Sequence, residues 1–423
     1  MTMKKIFAIL LIMALSIGLL AGCTADQTAA PTAPAGGGTP AATATAGEPI
    51  VIGAITSLSG ALQDYGEQFR RGFYLGLEYM TDGTMEVAGR PLQTDWEDTT
   101  NVPDVARERT LALLERGVDI VTGYAASGDA VASLALFEEF DTVAVIEPAA
   151  ADAIISAPNW NEYVFRTGRT SGQDALAMLS VLNGRYPQGG EGVTIATFGP
   201  DTTFGFSMVE PFVAHAEAAG FDIVATEFAP HTATDFSPFL LRIRALAPDY
   251  LYMIWAGENS PYMQLMELDL QAVGTTIITG APELAQLVAM RPLGEMGGIG
   301  FCIYYSTLPQ NVAMNDWLVE QHWERYNMPP DIFTSGGMAA ASAIVTALEL
   351  TGGVTDSAVL KETMRGMEFM TPTGNRYFRP EDGQAMQVLF EIEFTAEEGV
   401  DHMIPRWVRT IPAEEIAPPI MNR

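Results

Sequence analysis

Residues 121–131 read VTGYAASGDAV, which places small and polar residues between a predicted strand and a predicted helix. Glycine and serine at such a junction leave backbone N–H groups uncovered, and the amino end of a helix carries partial positive charge. The Ser127 hydroxyl adds a further donor. The stretch therefore predicts an anion-binding loop centred on Ser127, with the alternative that Ser127 only caps the helix over residues 128–140.

Few other residues have the spacing of a catalytic or metal site. The four histidines lie far apart in the chain: His215, His231, His322 and His402. The sequence contains no cysteine pair for zinc, no H-E-x-x-H, no G-x-S-x-G and no phosphate loop with Gly-Lys-Ser/Thr. It therefore favours a binding protein over an enzyme and predicts neither a metal ion nor a cofactor.

The overall composition is that of a globular protein with an acidic surface. The chain has 423 residues, of which 48% are hydrophobic and 17% are charged. This length is typical of two or three lobes. Because 52 acidic side chains oppose 22 basic ones, the protein repels nucleic acid, and we exclude nucleic acid as a partner.

The elements that carry the candidate loop alternate between strand and helix. Buried-strand patterns begin at Ile50 and recur in RPLQTDWED, VDIVTGY and TVAVIEP. Apolar residues at helical spacing separate them, as at Phe69 and Leu77, and a second helix is predicted to start near Pro103 with Asn101 as its cap. This alternation predicts right-handed βαβ units in a parallel, doubly wound sheet.

The same alternation restarts after YVFRTGRTSGQD, which has the composition of an exposed junction. Further strand patterns follow in GVTIATFGP, FDIVATEFA, DYLYMIW and TTIITGAPE. After Gly300 come a strand in FCIYYSTL, helices over 312–326 and 335–350, and a hairpin that turns at residues 380–383. The late helices need a sheet to pack on, so we expect two α/β lobes and a chain that crosses between them more than once.

The N-terminal segment is predicted to lie outside the fold. It reads MTMKKIFAILLIMALSIGLLAGC: a basic start, an apolar run too short for a comfortable membrane span, and small residues before Cys23. LAGC resembles a bacterial lipobox, which implies lipidation of Cys23. An ordinary signal peptide that contains cysteine and an uncleaved anchor are the alternatives.

Residues 24–47 are rich in Ala, Thr, Pro and Gly and predict a disordered tether. Cys302, the cysteine of the predicted folded part, is predicted to be buried and unpaired.

Several stretches, in order, resemble the periplasmic branched-chain amino-acid-binding family. They are IGAITSLSGALQDYGEQFRRGFYLGLEYM, VTGYAASGDAVASLALFEEFDTVAVIEPAAADAI, FRTGRTSGQDALAM, FGPDTTFGFSM and TPTGNRYFRPEDGQAMQ. The resemblance runs from about Glu48 to the C-terminus. It implies a type I periplasmic binding protein, in which two doubly wound Rossmann-like lobes joined by a multi-strand hinge close on a ligand.

The resemblance also implies a domain division and a set of partners. The expected segments are a lipoprotein signal peptide over 1–22, a tether over 23–47, an N-terminal lobe over 48–168 and 306–370, and a C-terminal lobe over 169–305 and 371–423. The implied protein is extracytoplasmic and held to the cell membrane by its lipid. It would capture a small carboxylate ligand, an amino acid in the first instance, and deliver it to an ABC permease.

From the first lobe, the resemblance assigns two loops to the ligand. The loop of Ala126, Ser127 and Gly128 would hold the ligand carboxylate, and carbonyls of the turn with Ala149 and Ala151 would meet its ammonium group. The family usually has Thr near the position of Ala151. The missing hydroxyl removes a hydrogen bond worth about 0.5–1.5 kcal/mol.

The remaining implied ligand residues come from both sides of the cleft. Phe204 stands where the family usually has Tyr, and Trp255 with Glu258 follows a strand that ends at the cleft. Glu283 resembles the carboxylate that pairs with the ligand ammonium, or else is a solvated acid at a helix start. Tyr65 would form a wall of the cleft, or else is a core aromatic at a helix entry.

These residues leave three interpretations of the function. Two lost hydroxyls beside aromatic side chains indicate a ligand with an apolar side chain, or an acid other than a standard amino acid. The first interpretation is transport, and the lipobox favours it. The second is a sensor that reports a small amide, an aromatic or aliphatic acid or an amino acid to a membrane receptor. The third, a secreted enzyme, lacks any nucleophile–base pair or metal set.

Overall fold

The computed structural model describes residues 47–257, 259–296, 298–308 and 312–423. The predicted signal peptide over 1–22, the predicted lipidation site Cys23 and almost all of the predicted tether lie outside the described residues, as does Glu258. Within them, two large sheets and one small sheet alternate with helices.

The first lobe is built on a six-stranded sheet. Its elements in chain order are β1 (Ile50–Thr56), α1 (Gln63–Met80), β2 (Glu86–Val87), β3 (Arg90–Asp98), α2 (Pro103–Glu115), β4 (Ile120–Gly123), α3 (Ser127–Glu139), β5 (Val143–Ile146) and β6 (Val164–Arg166). The strand order is β2-β3-β1-β4-β5-β6, and all neighbours except β2 and β3 are parallel. This is the predicted doubly wound arrangement.

The second lobe repeats the pattern. Its first elements are α4 (Ser171–Arg185), β7 (Thr194–Pro200), α5 (Thr203–Ala218), β8 (Asp222–Ala229), α6 (Ser237–Leu246), β9 (Tyr250–Met253), α7 (Tyr262–Glu267), β10 (Thr276–Gly280), α8 (Leu284–Met290) and β11 (Ile299–Cys302). Residues 262–273 do not form one helix, because Asp269, whose φ of 45° is left-handed, separates α7 from a 3-10 turn over Leu270–Val273.

The remaining elements are shared between the lobes. They are α9 (Ala313–Tyr326), α10 (Ile332–Leu350), α11 (Ser357–Met364), β12 (Glu368–Thr371), β13 (Gly374–Phe378), β14 (Ala385–Met386), β15 (Leu389–Thr395) and β16 (Ile404–Ile411). The last two strands complete the second sheet, with the order β16-β15-β11-β10-β9-β7-β8. The chain therefore crosses between the lobes three times: after β6, after β11 and between β14 and β15.

The small sheet of β12, β13 and β14 forms the hairpin predicted to turn at 380–383. Its side chains Phe369 and Phe378 join the core of the first lobe together with α1 and α10. The sequence had instead assigned residues from 371 onward to the second lobe, and β15 leaves the hairpin for the second sheet. The exact lobe boundaries stay a prediction.

Helix α10 is long and apolar enough to cross a membrane, but 89% of its apolar window is buried inside the protein. It packs along α1 at close range. A Cβ atom at Gly72 of α1 would lie 1.9 Å from the carbonyl oxygen of Thr334 in α10. The Ala-rich sequence of α10 is thus that of a core helix.

Two local expectations were wrong. Asn101 does not cap α2, because its own φ is 58° and the residue that precedes the helix is Val102. The YVFRTGRTSGQD junction is not exposed, because it forms the first crossing and is held by buried hydrogen bonds. In these, Arg166 Nε donates to Gln384 Oε1 at 2.7 Å, and Gln384 Nε2 donates to the carbonyl of Gly168 at 2.7 Å.

Candidate functional site

A cavity of about 290 Å³ lies between the two lobes, and it is lined by the loops that follow β1, β4, β5, β7, β9 and β10. In doubly wound sheets these carboxyl ends of strands are the usual ligand site. The volume lies at the lower end of the range for small-molecule pockets. Seven of the predicted site residues line this cavity: Tyr65, Ala126, Ser127, Gly128, Phe204, Trp255 and Glu283.

The amino end of α3 reaches the cavity from the first lobe. Ala126 precedes the helix, Ser127 is its first residue, and no side chain caps it. The Ser127 Oγ instead accepts the backbone N–H of Ala151 at 3.1 Å. The alternative of Ser127 as a helix cap is therefore wrong in this structure, and its hydroxyl hydrogen remains available to an acceptor.

The turn over residues 148–151 is placed differently from the sequence-based expectation. Pro148 and Ala150 line the cavity, whereas Ala149 and Ala151 are buried and not part of its lining. Their carbonyls face a cation of the protein itself, because Arg166 Nη1 donates to Ala151 O at 2.7 Å and to Ala149 O at 3.5 Å. These two carbonyls are thus occupied and do not form the expected ammonium site.

The second lobe supplies two aromatic side chains. Trp255 is buried, stacks on Phe198 at 5.8 Å between ring centroids, and meets Phe236 edge-on at 4.8 Å. Phe204 lies in the first turn of α5, just after Thr202, whose Oγ1 accepts the N–H of Gly205 and caps the helix. The aromatic side of the cavity therefore rests on a fixed core.

Glu283 and Tyr65 meet across the cleft. Glu283 precedes α8 on the second lobe, and the Tyr65 hydroxyl of α1 donates to its Oε1 at 3.3 Å. The same hydroxyl accepts the N–H of Gly257 at 3.4 Å. Burial raises the pKa of Glu283 to about 8, and the negative charges of Asp331 and Asp64 add to this, against the opposing hydrogen bond from Tyr65. The unliganded carboxyl is therefore largely protonated at neutral pH.

Sequence reasoning missed two charged residues of this cavity. Arg169 and Asp129 both line it, and each is more than nine-tenths buried. Arg169 lies in the junction that was expected to be exposed, and Asp129 was hidden among many acidic residues. The only available signal was an arginine directly before the Thr170 cap of α4. Among the described residues, no three His, Cys, Asp or Glu side chains are grouped to hold a metal ion.

The two lobes form opposite walls of the cavity, the chain crosses between them three times, and polar side chains line both walls. These features define a two-lobed solute-binding protein. The chain belongs to the periplasmic binding protein family, whose sequence pattern matches residues 49–397. It is accordingly an extracytoplasmic solute-binding protein of the kind that serves ABC transporters.

Individual relatives agree with this assignment. The Leu/Ile/Val-binding protein homolog 6 of Brucella melitensis is 24% identical over 359 residues, which are 83% of this chain and 88% of the relative. The structure of an ABC-type branched-chain amino acid transporter protein from Rhodopseudomonas palustris is 36% identical, with a TM-score of 0.76 over 88% of this chain and all of the other. A solute-binding protein from the same species in complex with 3,4-dihydroxybenzoic acid is 20% identical, with a TM-score of 0.74 over 86% and 97% of the two chains.

Proposed function

We propose that this solute-binding protein captures a small carboxylic acid, an amino acid in the first instance, and delivers it to an ABC permease without chemical change. The supporting observation is the placement of Glu283 and the amino end of α3 on opposite walls of one small cavity. A ligand with an acidic end and a basic end would link the two lobes. Lobe closure would then depend on the ligand.

The protonation of Glu283 makes the ammonium part of the proposal specific. With a pKa near 8, the free carboxyl carries a proton at pH 7. An incoming ammonium group favours the ionised carboxylate and would displace that proton. Amino-acid binding would therefore release close to one proton per ligand at neutral pH.

The same protonation supports a second candidate, an acid without an ammonium group. A neutral carboxyl at Glu283 donates a hydrogen bond to a hydroxyl or carbonyl oxygen without any charge to compensate. The relative that binds 3,4-dihydroxybenzoic acid shares the fold. Trp255 and Phe204 offer an apolar surface for an aromatic ring. The sensor interpretation would use this same site.

We further propose that Cys23 carries the lipid that holds the protein at the membrane. More than one acyl chain is needed for stable anchoring, and lipid modification of the mature N-terminal cysteine supplies them. Mass spectrometry of the protein from the membrane fraction should show acyl chains on Cys23 as the N-terminal residue. An N-terminal Cys23 without acyl chains would contradict the lipid anchor and leave the binding proposal intact.

A thermal-shift panel tests the ligand class. Purified residues 48–423, refolded to remove carried-over ligand, would be screened against the twenty amino acids and their des-amino acids. A ligand at about 100 times its dissociation constant stabilises the folded state by roughly 2.7 kcal/mol, which moves the midpoint by several degrees. Shifts by amino acids alone support the ammonium site, and shifts by des-amino acids alone support the second candidate. No shift with any acid would contradict the proposal.

A further inference from the structure

Arg169 carries unused hydrogen-bond donors at the cavity. Its side chain is only 9% exposed, and its Nε donates to Asp174 Oδ2 at 3.1 Å. Across the described residues, neither Nη1 nor Nη2 of Arg169 has a hydrogen-bond acceptor, although the residue lines the cavity. A buried guanidinium normally uses its planar pair of terminal nitrogens on a carboxylate or a similar anion. The Nη pair of Arg169 therefore lacks an acceptor that a ligand can provide.

The position of Arg169 is fixed by its neighbours on both sides. Thr170, the next residue, caps α4 and forms a reciprocal capping box with Gln173. Asp174 is fully buried, and it holds the guanidinium through Nε only. The pair is thus oriented by α4. The terminal nitrogens of Arg169 make no hydrogen bond with the described residues, although its charge opposes the burial-raised pKa of Glu147 nearby. Within the described lining of the cavity, Arg169 is the only arginine, and there is no lysine.

The amino end of α3 is a weaker anion site than the sequence indicates, because Asp129 already occupies its first turn. Asp129 is 1% exposed, and neither of its carboxylate oxygens has a hydrogen-bond partner of good geometry. The Thr99 hydroxyl that faces it pairs with Ser57 Oγ at 3.1 Å. A carboxylate beside this helix end competes with a second anion for the same partial positive charge. The α3 end alone would therefore hold a ligand carboxylate less firmly than Arg169 would.

We infer that Arg169 binds the ligand carboxylate through Nη1 and Nη2 and thereby selects acids over their amides and esters. This inference rests on the proposed capture of an acid and changes which residue anchors it. Ser127 then contributes its hydroxyl to the cavity, and Asp174 acts as a positioning residue for the guanidinium. The ligand class is a monocarboxylic acid whose planar carboxylate pairs with the two terminal nitrogens of Arg169.

The test compares each acid with its own carboxamide. The probes are leucine with leucinamide, benzoate with benzamide, 4-methylpentanoate with its amide, and any further acid that stabilises the wild-type protein in the thermal-shift panel. Calorimetric titration gives their affinities for the wild type and for the Arg169→Met and Arg169→Lys variants. Arg185→Met is the matched control, because Arg185 ends helix α4, which Arg169 precedes, pairs with Glu391 and does not line the cavity.

The expected result is selective. Arg169→Met should weaken binding of the acid by about 10- to 100-fold, since hydrogen bonds to charged groups are among the stronger ones. Arg169→Lys should retain part of the affinity, because an ammonium is a point charge without the planar fork. Binding of the matching amide should change by less than about threefold, and Arg185→Met should bind every probe as the wild type does.

Two outcomes separate this inference from the proposed function. Equal affinity of the wild type and Arg169→Met for a bound acid would overturn the role of Arg169 and leave acid capture standing. Absence of acid binding by the wild type would overturn both.

Arg169→Met leaves Asp174 without its partner, so the double variant with Asp174→Asn is the form to measure if the single variant does not fold. If neither variant folds, a crystal structure of the wild type with the bound acid decides. A carboxylate on Arg169 supports the inference, and one on α3 alone overturns it.

Discussion

The carboxylate of Asp331 joins the two lobes by accepting the backbone N–H of Leu284 at 2.8 Å. Asp331 precedes α10 of the first lobe, and its other oxygen accepts the N–H of Ile332 at 2.8 Å. Leu284 is the first residue of α8 on the second lobe. One side chain therefore caps two helix ends that face each other across the cleft, and separation of the lobes would break its hydrogen bond with Leu284.

The Asp331→Ala variant should destabilise the closed form selectively. Loss of a helix cap costs about 1 kcal/mol of stability, and loss of a hydrogen bond to a charged group across the cleft should weaken ligand binding by about tenfold. The measurement is calorimetric affinity at pH 6, where Glu283 is protonated because its pKa is about 8. X-ray scattering of the liganded variant should also report a more open particle.

Asp356→Ala is the matched control for this prediction. Asp356 caps α11 by accepting the N–H groups of Ala358 and Val359, and it is remote from the cavity. It should lose a similar amount of stability and none of the ligand affinity. Equal affinity losses in the two variants would show that Asp331 acts through general stability and not through closure.

The affinity for an amino acid should rise with pH because of Glu283. Burial raises the pKa of Glu283 to about 8, so at pH 6 a bound ammonium group must first displace a proton. Affinity should therefore increase by up to about tenfold per pH unit between pH 6 and 8 and then level off. Calorimetry in buffers of different ionisation enthalpy measures the released proton. Glu283→Gln should bind more weakly, with a flat profile between pH 6 and 8, and a des-amino acid should lack the rise with the wild type. An unchanged slope in Glu283→Gln would exclude Glu283 as the titrating group.

Glu283 should also make the unliganded fold less stable as the pH rises. The folded pKa of about 8 lies above the ordinary value of 4.5. The folded state thus holds more protons than the unfolded state between these two values. Linkage then lowers the free energy of unfolding by up to about 1.4 kcal/mol per pH unit in this window. Urea titrations at pH 5 and pH 8 should show a smaller loss for Glu283→Gln than for the wild type. Equal losses would place the responsible groups elsewhere.

The strand and helix pattern predicted most of the fold, because buried parallel strands are continuous apolar runs and their helices keep a 3.6-residue period. Arg90–Asp98 and Ile50–Thr56 are strands where the pattern predicted them. The family resemblance, and not this pattern, assigned Ser127 and Glu283 to one cavity, because their loops follow β4 and β10, which belong to different sheets. The route of the chain after β11 was predictable only in outline, since a hairpin pattern does not say which sheet its strands join.

The charged residues of the site were not predictable from the same pattern. Arg169 and Asp331 stand in loops, where periodicity carries no information about burial. The roles of both depend on contacts between residues far apart in the chain, such as the hydrogen bond from Leu284 to Asp331. Likewise, the resemblance assigned the carbonyl of Ala151 to a ligand ammonium, and nothing in the local sequence shows that Arg166 reaches this carbonyl.

Removal of the Trp255 and Phe204 side chains should lower the stability of the fold by different amounts. Trp255 is packed on Phe198 and Phe236, so Trp255→Ala should lower stability by about 3–5 kcal/mol as well as affinity. Phe204 lines the cavity from the first turn of α5 and is only partly buried, so Phe204→Ala should lower affinity with about 1 kcal/mol or less of stability lost. Urea titration and calorimetry measure the two effects separately. A large stability loss in Phe204→Ala would show that the ring supports the core of the second lobe.

The close packing of α1 on α10 should make Gly72 intolerant of any side chain. A Cβ atom there would lie 1.9 Å from the Thr334 carbonyl oxygen, which belongs to helix backbone and cannot rotate away. Gly72→Ala should therefore force the helices apart and cost about 3 kcal/mol or more, at the upper end of overpacking effects. Gly184→Ala is the control, because Gly184 lies in α4 with no atom within 4 Å of the added Cβ. It should gain up to about 1 kcal/mol from helix propensity. Urea midpoints that fall together in both variants would contradict the steric argument, since of these two glycines Gly72 is the one that faces another helix.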